Sequence, residues 1–343
     1  MQSIPSADNA FYHPDAEHIA HNRRGFWIAA LFEIVGLLLF VGLFNLLFDR
    51  IGDGLDGFPL IFLGLLMSLV PAVLWLGFFY QMDRLEPEPK QKLIGVFVLG
   101  ALVTAAIAIP FLKNFVAIDS WLYDSFASQL VGGILLVGFV QEAVVYFVVR
   151  YGILADPEFD ERVDGVIYAI AAGLGMATVL NFNYVLDHGG VDLGIGSVRV
   201  VITALAHASF AGILGYFIGQ ARFEKTPPYY LPAGLTLAAL LNGIFFLLED
   251  RVTAAGLSVN PWNGLLLALV VSGVCLAAVF WLVNRSNEET LRVAAQQRRV
   301  DAAMQPSGMQ PAQPAIPSPE PAPVLEANDN GSPDNSPSEK GEG

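Results

Sequence analysis

Residues 163–186 read VDGVIYAIAAGLGMATVLNFNYVL, a stretch in which Asp164 is the single charged side chain. A helix of this length rises about 36 Å, which exceeds the roughly 30 Å hydrocarbon core of a bilayer. Lipid offers no water to bond with backbone N–H and C=O groups, so only helices and closed barrels can cross it. The stretch therefore predicts a membrane-spanning helix.

Apolar segments of similar length occur along most of the chain. The predicted spans are Phe26–Phe48, Pro59–Tyr80, Leu93–Leu112, Leu130–Val149, Val163–Leu186, Ser197–Gln220, Tyr229–Leu248 and Trp262–Val283. The composition agrees, because 54% of the residues are hydrophobic and 15% are charged, whereas soluble domains carry about 25% charged residues. The sequence therefore predicts an all-α fold, a polytopic membrane helical bundle of eight transmembrane helices.

The chain divides into three predicted regions. Residues 1–25 form a polar N-terminal arm, residues 26–283 the transmembrane bundle, and residues 284–343 a tail rich in Pro, Ser and acidic residues. Such a tail buries too little apolar surface to offset the entropy lost on ordering, so most of it is predicted to be disordered.

The distribution of charge predicts the environment of the protein. Alternate loops and the two terminal regions carry 13 Lys and Arg residues near the membrane, against 4 on the opposite side, and basic loops remain in the cytoplasm. We therefore expect a multi-pass membrane protein with both termini in the cytoplasm. The lipid bilayer is the expected partner, and a net charge of −14 excludes a nucleic-acid binder because it repels phosphate.

Several predicted spans contain polar side chains. Ionisable groups at bilayer depth cost roughly 2.5–3.5 kcal/mol or more each, so each one is a candidate site residue. The polar residues within the predicted spans, ionisable or neutral, are Glu33, Gln141, Glu142, Asn181, Asn183, His207 and Asn242. Such groups can also join neighbouring helices by hydrogen bonds. We favour the joining role for Glu33 and Asn242, and the site role for Glu142 and His207.

The loop QMDRLEPEPK, residues 81–90, has two open interpretations. Each residue before a proline is restricted to extended geometry, so the Glu86-Pro87-Glu88-Pro89 run either ends the second span rigidly or forms a functional loop. Asp164 has a structural interpretation as the N-cap of the fifth span. The small residues of Gly215-x-x-x-Gly219 predict close packing of the sixth span against a neighbour.

Taken in order, these motifs resemble those of the PrsW-type intramembrane metalloprotease family over residues 81–220. GFVQEAVVY stands where the family has Glu-Glu-x-x-Lys. The other matching positions are Asp83, Glu86, Pro87, Glu88, Pro89, Asp164, Gly165, Tyr168, Gly173, Gly175, Asn181, Tyr184, Arg199, His207, Gly215 and Tyr216. The resemblance implies Glu142 and His207 as catalytic residues and metal ligands. It implies supporting roles for Gln141, Asn181, Tyr184, Arg199, Asp164, Glu86 and Glu88.

The departures from the family pattern affect the residues expected to take part in the chemistry. The resemblance is therefore that of a divergent member. Gln141 replaces the first glutamate, Val145 the lysine, and Leu180 a further glutamate. Catalytic zinc needs about three protein ligands and commonly a separate carboxylate base. Zinc is the cofactor implied by the resemblance, but the identifiable ligands are reduced to Glu142 and His207. A tilt or break near Gly173 and Gly175 would be needed to bring Asn181 to the depth of Glu142.

Three hypotheses follow from these residues. The resemblance implies an intramembrane metalloprotease of a bacterial-type plasma (inner) membrane that cleaves a membrane-anchored regulator such as an anti-sigma factor, with a depleted active site. A catalytically inactive relative would instead use the same pocket to bind or hold a membrane protein. A small-solute transporter could also use polar residues at mid-membrane, although the two halves of the chain show no internal repeat of the kind many transporters have.

Overall fold

The computed structural model describes residues 28, 31–32, 34–46, 57–82, 88–187, 193–253 and 260–281. All regular structure within these residues is helical, so the predicted all-α fold is confirmed. The helices are α1 (Ile34–Leu46), α2 (Gly57–Met82), α3 (Lys90–Val103), α4 (Phe126–Gly132), α5 (Phe139–Gly152), α6 (Arg162–Asp187), α7 (Leu193–Phe223), α8 (Tyr230–Thr253) and α9 (Pro261–Trp281). Wider π-helical turns, Thr104–Ala108 and Phe111–Phe115, follow α3, and a third, Gly133–Gly138, joins α4 to α5.

Seven helical segments among the described residues are long and apolar enough to cross a membrane. They agree with seven of the eight predicted spans and show a polytopic membrane bundle. The described part of the first predicted span is the shorter α1. Glu33, the N-terminal arm at 1–25 and the tail at 284–343 lie outside the described residues.

Helices α6 and α7 form the centre of the bundle. The most apolar 18-residue windows of these two spans are 83% and 78% buried, against 28–44% for the other five. Glycines allow their backbones to meet, because a Cβ added at Gly165 would lie 2.4 Å from Gly215 O. The close packing predicted from the small residues of the sixth span is therefore present, and its partner is α6.

Helix α3 packs against another side of α6 through a second glycine contact. A Cβ on Gly100 would lie 2.4 Å from Ala172 O, and one on Gly175 would lie 2.0 Å from Phe97 O. Only a residue without a side chain lets two helix backbones come this close. The two glycines thus set the distance between α3 and α6.

The outer faces of the surrounding helices are apolar. Leu39, Val73, Leu102 and Leu266 are each between 60% and 68% exposed. An apolar exposed surface of this extent is typical of a surface that contacts another apolar phase. It suits the acyl chains of a bilayer.

Candidate functional site

Glu142 is placed by the irregular helical stretch that precedes it. The π-helical turn Gly133–Gly138 leads directly into α5, and such turns are frequent at functional sites. Gly138 lets α8 approach, since an added Cβ would lie 2.3 Å from Ala239 O, and one on Gly243 would lie 2.5 Å from Ile134 Cα. These contacts bring α8 against the start of α5.

Asn242 of α8 connects to Gln141 and Glu142 of α5. Its Nδ2 donates hydrogen bonds to Glu142 Oε1 at 3.0 Å and to Gln141 Oε1 at 3.1 Å. Glu142 is fully buried, and Asn242 and Gln141 are less than a tenth exposed. Asn242 therefore links two helices by hydrogen bonds, as expected, and one of its partners is the candidate catalytic residue Glu142. The second oxygen, Glu142 Oε2, has no hydrogen-bond partner among the described residues.

His207 lies in the middle of α7, where this helix packs on α6. A Cβ on Gly173 would lie 2.9 Å from His207 O, so the backbone of α7 passes close to α6 at this level. The imidazole is buried, and its Nδ1 has no hydrogen-bond partner in the described part of the chain. Because α5 contacts α7, Glu142 and His207 belong to adjoining helices inside one bundle. Buried polar atoms without partners cost about 1–3 kcal/mol each, and such atoms are rare in folded proteins.

The donor atoms available here do not complete a catalytic zinc centre. Glu142 Oε2 and His207 Nδ1 are suitable ligand atoms, but no group of three His, Cys, Asp or Glu residues within the described ranges could hold a metal. Gln141 and Asn242 contribute neutral amides that already bond to each other. Asp187, at the end of α6, bonds with Lys113 and Asn183 instead. A catalytic zinc site uses three protein ligands, so the described residues do not by themselves fit that cofactor.

Three of the supporting residues meet at the interface of α6 and α7. Asn181 Nδ2 donates to Val200 O at 3.4 Å, and the Arg199 guanidinium lies 3.8 Å from the centre of the Tyr184 ring. Helix α6 continues unbroken from Arg162 to Asp187, so a break near Gly173 and Gly175 is absent. The other expectation, a tilt that brings Asn181 to the depth of Glu142, stays a prediction. These contacts stabilise helix packing.

A second polar cluster forms at the start of α6. The Tyr168 hydroxyl donates to Glu88 Oε2, and the carboxyl groups of Glu88 and Asp164 are hydrogen-bonded to each other. All three side chains are buried. The second glutamate of the loop motif therefore anchors the loop to α6. Asp83 and Glu86 of the same motif lie outside the described residues.

The N-cap interpretation of Asp164 is wrong. Helix α6 begins at Arg162, which makes Asp164 its third residue. The carboxylate reaches backwards, and its Oδ2 accepts hydrogen bonds from the backbone N–H groups of Asp160 at 2.9 Å and Glu161 at 2.6 Å. This is the role of the third residue in a capping box.

The buried Glu88 carboxyl predicts a pH-dependent stability. Burial raises its pKa above the ordinary value, and hydrogen bonds to Tyr168 and Asp164 oppose this only in part. A carboxyl whose pKa is raised by folding stabilises the fold below its unfolded pKa of about 4.3, and that contribution is lost as the pH rises through the folded pKa. We expect the thermal midpoint of the purified protein to fall as the pH rises from about 4.5 to 8.

The variant Glu88→Gln replaces the carboxyl group by a neutral amide that can still form hydrogen bonds with Tyr168 and Asp164. Because the amide does not titrate, the thermal midpoint of the variant is expected to depend less on pH. Asp124→Asn, a change at an exposed carboxyl group that does not act on Glu88, is the control and keeps the wild-type profile. Identical profiles for the wild type and Glu88→Gln would show that Glu88 does not carry the effect.

Comparisons with known proteins match the part of the chain that contains these residues. A family model described as PrsW family intramembrane metalloprotease matches residues 88–283, which extends beyond the motif region 81–220 through α8 and α9. The chain is 33% identical over 179 residues to "Protease PrsW" of Geobacillus kaustophilus, which covers 52% of this chain and 76% of the relative. The "Protease PrsW" of Oceanobacillus iheyensis is 28% identical over 228 residues, 65% of this chain and 96% of the relative. No solved structure matches significantly. The chain belongs to the PrsW family of intramembrane metalloproteases.

Proposed function

We propose that this chain is a divergent PrsW-type protein of a bacterial inner membrane that recognises a membrane-anchored regulator, such as an anti-sigma factor. Its termini would face the cytoplasm. The regulator would bind at the buried polar side chains of α5, α7 and α8, and the chain would hold it rather than cleave it. The observation that carries this proposal is the hydrogen bonding of Glu142 and Gln141 to Asn242, together with the unpartnered Nδ1 of His207.

The small number of acidic side chains at the candidate site favours binding over hydrolysis. The resemblance to the family leads us to expect acidic side chains at the positions of Gln141 and Leu180. Gln141 is neutral and bonded to Asn242, and Leu180 packs against the hydrophobic core. One carboxylate cannot readily serve as metal ligand and general base at once. The remaining acid and imidazole are therefore assigned to recognition.

The unpartnered atoms of Glu142 and His207 suit an unwound membrane segment. An extended or unwound stretch at bilayer depth exposes backbone N–H and C=O groups that lipid cannot satisfy. Glu142 Oε2 can accept a hydrogen bond from such an N–H, and a protonated nitrogen of His207 can donate to a C=O. Both groups would thereby gain the partners they lack in the free protein.

Hydrolysis is the second candidate, and the protease names of the relatives favour it. It would use the same two residues, with a further metal ligand from outside the described ranges. The family match favours both PrsW-type functions over the solute-transporter hypothesis.

A reporter assay separates binding from cleavage. The reporter is a fluorescent single-span membrane protein that the Geobacillus kaustophilus relative cleaves, reconstituted with either protein in liposomes. We expect this chain to bind the reporter but to cleave it more than about 100-fold more slowly than the relative, which is the scale of losing one catalytic group. His207→Ala should weaken binding. Cleavage at a rate near that of the relative, lost in Glu142→Gln and in His207→Ala, would contradict the proposal.

A further inference from the structure

A cavity that does not include Glu142 or His207 opens at the end of the bundle where α5 and α7 finish. Its volume is about 290 Å³. The lining residues are Tyr146, Arg150 and Leu154 from α5 and the turn after it, Ile218, Ala221 and Arg222 from α7, and Leu231 from α8. The cavity thus combines two guanidinium groups with an apolar wall.

The two arginines differ from Lys92 and Arg162, which lie at the same end of the bundle. Lys92 forms an ion pair with Asp156, and Arg162 forms one with Glu224 at 2.9 Å. Neither Arg150 nor Arg222 has a carboxylate within ion-pair distance among the residues that the structure describes. Two uncompensated guanidinium groups beside one cavity favour an anionic ligand.

The position of the cavity indicates where that ligand comes from. Arg150 lies in the last turn of α5 and Arg222 in the last turn of α7. These turns end membrane-spanning helices, so the side chains lie near the depth of lipid head groups. Leu154, Ile218 and Leu231 offer the cavity apolar contacts that a soluble anion does not need.

We propose that this cavity binds the phosphate head group of one anionic phospholipid. Arg150 and Arg222 would hold the phosphate oxygens through paired N–H donors, a geometry that guanidinium groups provide. The apolar wall would contact the glycerol and the first part of the acyl chains. Basic pockets between helices at a membrane surface recognise anionic lipids in this way.

Native mass spectrometry of the full chain in detergent tests this proposal. Phosphatidylglycerol and phosphatidylcholine are added at equal concentrations, and the bound fraction of each is counted. We expect one phosphatidylglycerol per chain to be retained in preference to phosphatidylcholine. The double variant Arg150→Gln/Arg222→Gln should bind phosphatidylglycerol roughly 30-fold more weakly, as expected for two lost charges near the surface. Lys225→Gln, at an exposed residue just after α7 that does not line the cavity, is the control and should bind like the wild type.

A second variant tests the cavity itself. Ala221→Phe fills the space without changing charge and should also reduce retention of phosphatidylglycerol. Equal retention by the wild type and the double arginine variant would overturn the proposal, as would equal retention of the two lipids. Displacement of the lipid by inorganic phosphate at comparable concentration would also overturn it, because the ligand would then be a soluble anion.

Discussion

Replacing Gln141 and Leu180 together by glutamate should convert the chain into a zinc-binding protein. The change introduces the two acidic side chains that the resemblance to the family leads us to expect at these positions, one next to Glu142 in α5 and one next to Asn181 in α6. Without metal, two added carboxylates at bilayer depth should cost about 5–7 kcal/mol, at roughly 2.5–3.5 kcal/mol each. Zinc should recover much of this loss, because a metal that binds only the folded state stabilises it.

Thermal unfolding in detergent, with and without zinc, measures this effect. We expect a large zinc-dependent rise of the midpoint in Gln141→Glu/Leu180→Glu and little change in the wild type. Adding His207→Ala to the double variant is the control, and it should remove most of the response to zinc. A double variant that unfolds at the same temperature with and without zinc would show that these four positions do not converge.

The variant Gly175→Ala should strongly destabilise the bundle. The new Cβ would lie 2.0 Å from Phe97 O, a backbone atom of α3 that cannot rotate away. Helices α3 and α6 must therefore separate, and overpacking of this kind costs typically 1–3 kcal/mol and occasionally more. Denaturant titration in mixed micelles measures the free energy of unfolding.

Gly95→Ala is the matched control for this prediction. A Cβ at Gly95 has no neighbour within 4 Å among the described residues. On helix propensity alone, alanine in place of glycine stabilises a helix by up to about 1 kcal/mol. Opposite effects of the two changes are expected, and equal effects would contradict the close contact of α3 with α6.

The fold was largely predictable because bilayer thickness fixes the length of an apolar segment. Spans such as Lys90–Ser120 and Arg162–Asp187 therefore stand out in the sequence. Which helices pack together was less predictable. The small residues Gly215 and Gly219 indicated a close contact, but the pairing of α3 with α6 depends on Gly100 and Gly175, which are 75 positions apart.

The candidate site was predictable only in part. Glu142 and His207 are candidates because ionisable residues in lipid are costly, and their functional roles stay predictions. The contact of Asn242 with Glu142 joins residues 100 positions apart, and no local pattern indicates it. The N-cap prediction for Asp164 is wrong because the N-cap and the third residue of a helix are only three positions apart. Sequence patterns place the start of a helix only within a few residues.

The zinc content of the wild-type full chain, purified in detergent without chelators, tests most directly whether its centre is depleted. The Geobacillus kaustophilus relative, purified in the same way, provides the comparison. We predict zinc well below one equivalent per chain, unchanged in His207→Ala. One equivalent of zinc per chain, lost in His207→Ala and in Glu142→Gln, would contradict a depleted centre and establish a metal site in this protein.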